Sequence, residues 1–179
     1  MKSLPYLLVL SALLFSFNLP NEEPSSIKFN TNPSGKERIM VLNASYEIEL
    51  INLINQYRQK NRLESLEVNS SLMQASRYHA ADMANEDYFE HATHNRIGNR
   101  LQRGLSTFKR IKQFYDGFAN TENCGAGYSS PEAVFNGWVN SPGHNANLLN
   151  KSATHIGVGF YQTNHSAYKR YWVFVSSVE

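Results

Sequence analysis

The chain has 179 residues, 17 basic and 15 acidic, for a net charge of +2. That length suits one domain with a sizeable core, and the near-balance of charge excludes a strong overall field for nucleic acid or an acidic membrane. Ten Tyr, ten Phe and two Trp exclude a disordered chain, and a lone cysteine, Cys124, excludes an intramolecular disulfide, so the fold rests on its core alone.

At the N-terminus Lys2 precedes an apolar run over residues 7–17, the layout of an export signal. The run is shorter than the roughly 20 residues a spanning helix needs. No A-x-A cleavage pattern follows it. Residues 1–19 therefore read either as a signal peptide or as a retained N-terminal anchor. No cysteine lies nearby for lipid attachment. Residues 20–44 hold Pro24, Pro33, Gly35 and several serines, and read as a flexible linker.

The domain is expected over residues 45–179. Ser45 is a candidate cap for a helix to Lys60, with Leu50, Leu53, Ile54 and Tyr57 as its inward stripe. Asn69 or Ser70 caps a second helix, on which Leu72, Ser76, His79 and Met83 share a face. His79 is thus expected as a hydrogen-bonded core histidine. The helix ends with Asn85, and residues 86–91 turn out of it, with Tyr88 and Phe89 anchoring the turn while His91 faces a cavity. Residues 96–104 read as another short helix. Residues 105–127 are the least regular, with Phe114, Tyr115 and Phe118 suggesting a strand or packing loop. Lys109-Arg110 reads as an isolated surface pair, and Cys124 as a small buried hydrophobe.

Ser130 caps a helix that Pro131 opens, with Val134, Phe135 and Trp138 directed inward. Ser141-Pro142-Gly143 is expected to stop it and to deliver His144 at a backbone corner. Residues 156–162 and 171–177 read as antiparallel strands joined by residues 164–169. Gly157 and Gly159 leave one face of the first strand bare, so that another backbone can approach. Residues 171–175 carry β-formers on both faces, as a buried strand does. Helices followed by strands indicate an α+β fold with a sheet covered on both sides.

The stretch W-V-N-S-P-G-H-N-A-N-L-L-N at 138–150, followed by H-I-G-V-G-F at 155–160, resembles the signature of the CAP superfamily. That superfamily includes cysteine-rich secretory proteins, antigen 5 and pathogenesis-related 1 proteins, and the form here is similar to its bacterial SCP-like extracellular members. Y-F-E-H at 88–91 and T-E-N at 121–123 follow the family order, with Thr121 where relatives usually have Gly. The resemblance implies a three-layer α/β/α sandwich around a central, mainly antiparallel sheet. The N-terminal export signal leads to the expectation of an extracellular or periplasmic protein, and the resemblance implies a cavity lined by His91, Glu122 and His144. The spacing after Tyr88-Phe89 favours His91 over His94 for that cavity, and Arg100 falls where relatives carry an arginine.

Two imidazoles and a carboxylate suit Zn²⁺ or another divalent cation, with His91 and His144 as ligands. The same three residues also suit acid–base work without metal. Relatives often place a second glutamate three residues after the helix tryptophan, where this chain has Ser141. Glu132 is the nearest substitute, but the helix dipole alone accounts for an acid there. No Gly-x-Ser-x-Gly elbow surrounds Ser141. Two functions follow from the resemblance. One is a binding module holding a divalent metal and an extracellular ligand, a lipid, glycan or peptide. The other is a peptidase-like, metal-dependent hydrolase with Glu122 as its catalytic general base. Neither calls for nucleic acid, and membrane contact is expected only if the N-terminal segment stays uncleaved.

Overall fold

The computed structural model describes residues 27–178. The expected leader over residues 1–19, and the first part of the expected linker, lie outside them. Five helices and six strands follow in chain order: α1 (Ala44–Lys60), β1 (Glu67–Val68), α2 (Ser70–Glu86), β2 (His94–Ile97), β3 (Arg100–Arg103), α3 (Thr107–Phe114), β4 (Phe118–Ala126), α4 (Pro131–Val139), α5 (Pro142–Leu148), β5 (His155–Gln162) and β6 (Arg170–Val178).

The main sheet has the order β1-β5-β6-β4. Only the short β1–β5 pair is parallel, and the rest is antiparallel. β6 lies between β5 and β4 and is buried from Tyr171 to Ser177. Its side chains alternate between the two faces, as strand geometry requires. Trp172 and Phe174 join Leu50 and Ile54 of α1, Val134 and Trp138 of α4, and Ile156, Val158 and Phe160 of β5. Tyr171, Val173 and Val175 join Leu72, Ala75 and Met83 of α2, Ile111 of α3, and Cys124 of β4. The molecule is therefore three layers, with α1, α4 and α5 on one side of the sheet and α2 and α3 on the other. Each fully buried large apolar side chain contributes about 1.5–3 kcal/mol by removal from water.

The helix ends follow from local chemistry. Asn43, rather than Ser45, caps α1 by accepting from the Tyr46 N–H. Asn69 caps α2 by accepting from Ser71 and Leu72, and Ser130 caps α4 by accepting from Ala133. α2 ends where Asp87 takes the left-handed conformation, at φ 53°.

Four local expectations are corrected. Residues 96–104 do not form a helix: β2 and β3 make an antiparallel hairpin with Ile97 paired to Arg100. Gly98-Asn99 is its two-residue turn, with Gly98 at φ +59°. The segment before Glu122 contains the helix α3, not only a strand or loop. Ser141-Pro142-Gly143 does not make a loop corner: Pro142 begins α5, because its fixed φ suits a first helical position. His144 is thus held in the first turn of a helix. Residues 27–43, read from composition as a spacer, lie along α2 and α3. Ile39 is buried, the Phe29 ring stands 5.6 Å from Tyr78, and Gly35 passes so close to Gln113 that a Cβ would meet its carbonyl.

Both sheet edges are covered by side chains. On β5 beyond the short β1, the Val158 N–H reaches Met73 Sδ at 3.1 Å and the Phe160 N–H reaches Glu47 Oε1 at 3.4 Å. On β4, the carbonyls of Glu122 and Cys124 accept from Asn147 Nδ2 and Trp138 Nε1. Edge groups satisfied in this way are not open to pairing with another chain. The covering of β4 also creates the site described next.

Candidate functional site

His91 and His144 approach the edge strand β4 from opposite layers. His91 lies in the turn after α2, on the α2/α3 side. His144 lies on α5, on the other side, and its carbonyl accepts from Asn123 Nδ2 at 3.0 Å. Both line a cavity of about 540 Å³ whose wall also includes Phe89, Cys124, Tyr128 and Trp138, with Arg103 beside them. The wall is mostly apolar with a few convergent polar groups, the usual composition of a small-ligand site.

Glu122, expected to line the cavity, is not part of its wall but lies buried behind His91. Its Oε1 accepts from His91 Nδ1 at 2.9 Å, and its Oε2 accepts from Arg110 Nη2 in a fully buried ion pair. Burial alone would push this carboxyl up. The guanidinium and the His91 ring overcome that and hold it down to about 2. Arg110 Nη1 also donates to the His91 carbonyl at 2.6 Å, so one buried cation fixes both the carboxylate and the backbone of the histidine it orients.

A carboxylate only accepts, so His91 donates through Nδ1 and, when neutral, carries its lone pair on Nε2. That nitrogen has no hydrogen-bond partner among the described residues. The Glu122 hydrogen bond holds the His91 pKa above its ordinary value against the opposing effect of burial. The His144 ring makes no hydrogen bond among the described residues, and burial followed by the nearby His91 lowers its pKa. The side chain of His91 is 55% exposed, against 12% for His94. His94 instead packs on the Tyr88 ring at 4.6 Å and does not line the cavity.

Cys124 is a buried thiol, as expected, with Sγ 3.6 Å from Glu122 Oε1 and 3.7 Å from His91 Nδ1. Burial and the Glu122 charge keep it protonated. His79 is the expected core histidine: Nε2 donates to the Glu90 carbonyl at 2.9 Å, while Nδ1 is buried without a partner. Burial, reinforced by Arg110, lowers its pKa to about 3.

Among the described residues, one group of three metal-capable donors lies together, His79, Glu122 and Cys124, with ligand atoms within 4.8 Å of one another. Its chemistry suits a cation poorly. Glu122 is already neutralised by Arg110, and the thiol is held protonated. The free imidazole nitrogens of His91 and His144 suit one better, because a carboxylate behind a ligating histidine fixes its tautomer and raises its basicity.

The remaining candidates lie elsewhere. Glu132 shares the outer surface with Glu49, Ser141 precedes α5 without lining the cavity, and Arg100 is exposed on β3. Arg110 supplies the buried guanidinium instead. Lys109-Arg110 as a dipeptide suggests surface. The helical spacing of Arg110 with Ile111 and Phe114 marks an inward face and is the sequence signal for its burial.

The comparisons fit this picture. Residues 51–176 match the family model described as the cysteine-rich secretory protein family, CAP. The chain is 32% identical over 148 residues to the Bacillus subtilis protein YkwD, covering 82% of this chain and 53% of that protein. It is 30% identical over 125 residues to the B. subtilis membrane protein YlbC, covering 69% of this chain and 34% of that one. It thus spans about half or less of the curated relatives it matches. Among solved structures, an extracellular SCP-domain protein of Bacillus anthracis superposes with a TM-score of 0.63 at 26% identity, covering 75% of this chain and 41% of that one. An outer surface protein of Borrelia burgdorferi superposes at 0.61 with 19% identity, covering 79% and 99%, a likeness of fold alone. The chain belongs to the cysteine-rich secretory protein, or CAP, family.

Proposed function

We propose that this is an exported binding protein whose cavity holds a divalent cation, Zn²⁺ or a similar ion, between His91 and His144, and beside it a small or extended extracellular ligand. The observation carrying this reading is the Arg110–Glu122–His91 chain. It orients one imidazole with its Nε2 unpartnered in a cavity shared with a second, unbonded imidazole. The bound ion would supply Lewis acidity and a fixed positive charge for an anionic or carbonyl group of the ligand. The chain's own residues provide the mainly apolar wall formed by Phe89, Tyr128 and Trp138. Export is supported by the N-terminal apolar run and by the extracellular description of the B. anthracis relative.

The hydrolase reading loses its general base. Both Glu122 oxygens are engaged, and a carboxyl held near 2 takes up a proton poorly at neutral pH. Glu122 is therefore assigned a positioning role.

Zn²⁺ titration calorimetry on residues 27–179 tests the proposal, with His91→Ala, His144→Ala and Cys124→Ser variants. Each histidine change should weaken binding at least about tenfold, and Cys124→Ser should leave it unchanged. Loss of binding in Cys124→Ser alone would put the ion at the buried His79/Glu122/Cys124 group. Absence of binding in every protein would remove the metal from the proposal.

A further inference from the structure

Net charge hides how unevenly the charge is spread. Residues 91–115 contain six basic side chains and no acidic one, leaving 11 basic against 15 acidic in the rest of the chain. Two of the six are used internally, Arg96 on Glu86 and Arg110 on Glu122. Lys112 leans on Asp116 at 3.6 Å. Arg100, Arg103 and Lys109 meet no carboxylate among the described residues. The basic side chains lie on the β2–β3 hairpin and on α3.

This segment, and the start of β4 just beyond Asp116, expose large apolar groups that a soluble surface does not need. Phe108 on α3 is 50% exposed and Phe118 at the start of β4 is 68% exposed. They flank a groove of about 530 Å³ between α3 and β4, distinct from the histidine cavity, which Lys109 and Lys112 also line. At the hairpin turn Ile97 is 63% exposed. Aromatic and aliphatic groups set among lysines are the pattern of a surface that inserts side chains at a membrane interface while its cations meet anionic headgroups. A polyanion in water would use the cations but would leave the apolar groups in solvent.

The path of the chain adds a separate argument. Ile27, the first described residue, shares a surface hollow with Arg96 and Gly98 of the hairpin, and Gly35 presses on Gln113 of α3. The described chain thus begins beside this face, and the sequence before Ile27 holds the apolar run at 7–17.

We propose that the β2–β3 hairpin and the α3–β4 groove form a docking face for an anionic phospholipid bilayer, with Phe108 and Phe118 entering the interface and Lys109 and Lys112 on the headgroups. The α3–β4 groove shares no wall residue with the histidine cavity, which this face meets only at Arg103.

Amide hydrogen exchange on the full chain tests it, using vesicles of phosphatidylcholine with and without phosphatidylglycerol. The apolar N-terminal run is common to every protein compared, so differences between variants report on the face. Exchange over residues 94–114 should slow on the anionic vesicles only. Lys109→Ser/Lys112→Ser should bind them about 30-fold more weakly, the loss expected for two cations near an anionic surface. Phe108→Ser/Phe118→Ser should lose most of the slowing while keeping the wild-type melting temperature. No slowing over 94–114, or equal slowing on neutral vesicles, overturns the proposal. Equal slowing by soluble polyphosphate that the phenylalanine changes do not affect would make the face a polyanion site and also overturn it.

Discussion

Arg110 and Glu122 form an ion pair with no solvent-exposed surface on the arginine and 2% on the glutamate, and that pair sets the position of His91. Removing one partner of such a pair leaves the other charge buried and uncompensated, at a cost of about 3–5 kcal/mol. Glu122→Gln should therefore lower unfolding stability in urea by roughly that amount. The Arg110→Met/Glu122→Leu double variant should recover much of it while losing the His91 hydrogen bond. A Glu122→Gln cost below about 1 kcal/mol would mean that the guanidinium finds other partners.

Two buried groups set the response to acid. Glu122 falls from its ordinary 4.5 to about 2, and His79 from 6.5 to about 3. For a folded-state pKa below the unfolded value, stability is present above the unfolded pKa and is lost as pH falls towards the folded one. The His79 contribution should fade from pH 6.5 downward, and that of Glu122 from 4.5 downward. Urea unfolding between pH 7 and 3 should show this decline, with a shallower slope below 4.5 in Glu122→Gln.

Asp82 acts in the opposite direction. Burial raises its pKa from 3.8 to about 7, against the Tyr88 hydrogen bond and the charge of Arg110. Its Oδ1 has no partner. A raised folded-state pKa gives stability that is complete below 3.8 and lost as pH rises through 7. Asparagine does not titrate. The melting temperature of Asp82→Asn, relative to the parent, should thus improve between pH 5 and pH 8. A pH-independent difference would show that Asp82 does not change charge in the folded protein.

The legible parts of the sequence were those where pattern and packing agree. The burial of β6 follows from its run of aromatic and β-branched residues, and α2 and α4 follow from their caps and apolar stripes. The misread parts are those where tertiary partners decide. R-I-G-N-R-L-Q-R has a polar mixture that a helix also tolerates, and only its central Gly-Asn, a hairpin turn signal, argued otherwise. The burial of Arg110 is not legible locally, because a buried arginine is identified by its carboxylate, and Glu122 lies 12 residues away across an element boundary. The family motifs named His91, Glu122 and His144, but nothing in them said that Glu122 is occupied on both oxygens. That pairing is the ground for proposing it as a positioning group instead of a base.

Gly157 and Gly159 face α2 across a gap that no side chain fits. A Cβ on Gly157 would lie 2.2 Å from the Leu72 carbonyl carbon, and one on Gly159 would lie 2.3 Å from the Arg77 nitrogen. Both obstacles are helix backbone, which cannot step aside as a side chain can. Gly159→Ala should cost at least the 1–3 kcal/mol typical of overpacking, while Gly143→Ala, where a Cβ meets nothing within 4 Å, should be near neutral. Equal melting temperatures for these two variants would contradict the close approach of α2 to β5.

Trp138 and His144 line the same cavity, six residues apart, and should respond oppositely to truncation. Trp138 is 1% exposed and packs with Phe174. Its Nε1 donates to the Cys124 carbonyl on the β4 edge. Trp138→Ala removes core volume and leaves that carbonyl unpaired, so a loss of about 3–5 kcal/mol is expected. Trp138→Phe keeps much of the packing and should lose about 1–2 kcal/mol, chiefly the hydrogen bond. His144 is half-buried, its ring makes no hydrogen bond among the described residues, and α5 is held through the His144 carbonyl and Asn147, not the imidazole. His144→Ala should therefore stay within about 1 kcal/mol of the parent, yet weaken Zn²⁺ binding. Urea unfolding of the three variants, read beside their Zn²⁺ titrations, separates the wall of the cavity from its chemistry. A His144→Ala loss as large as that of Trp138→Ala would make the imidazole part of the scaffold and remove it as a metal ligand.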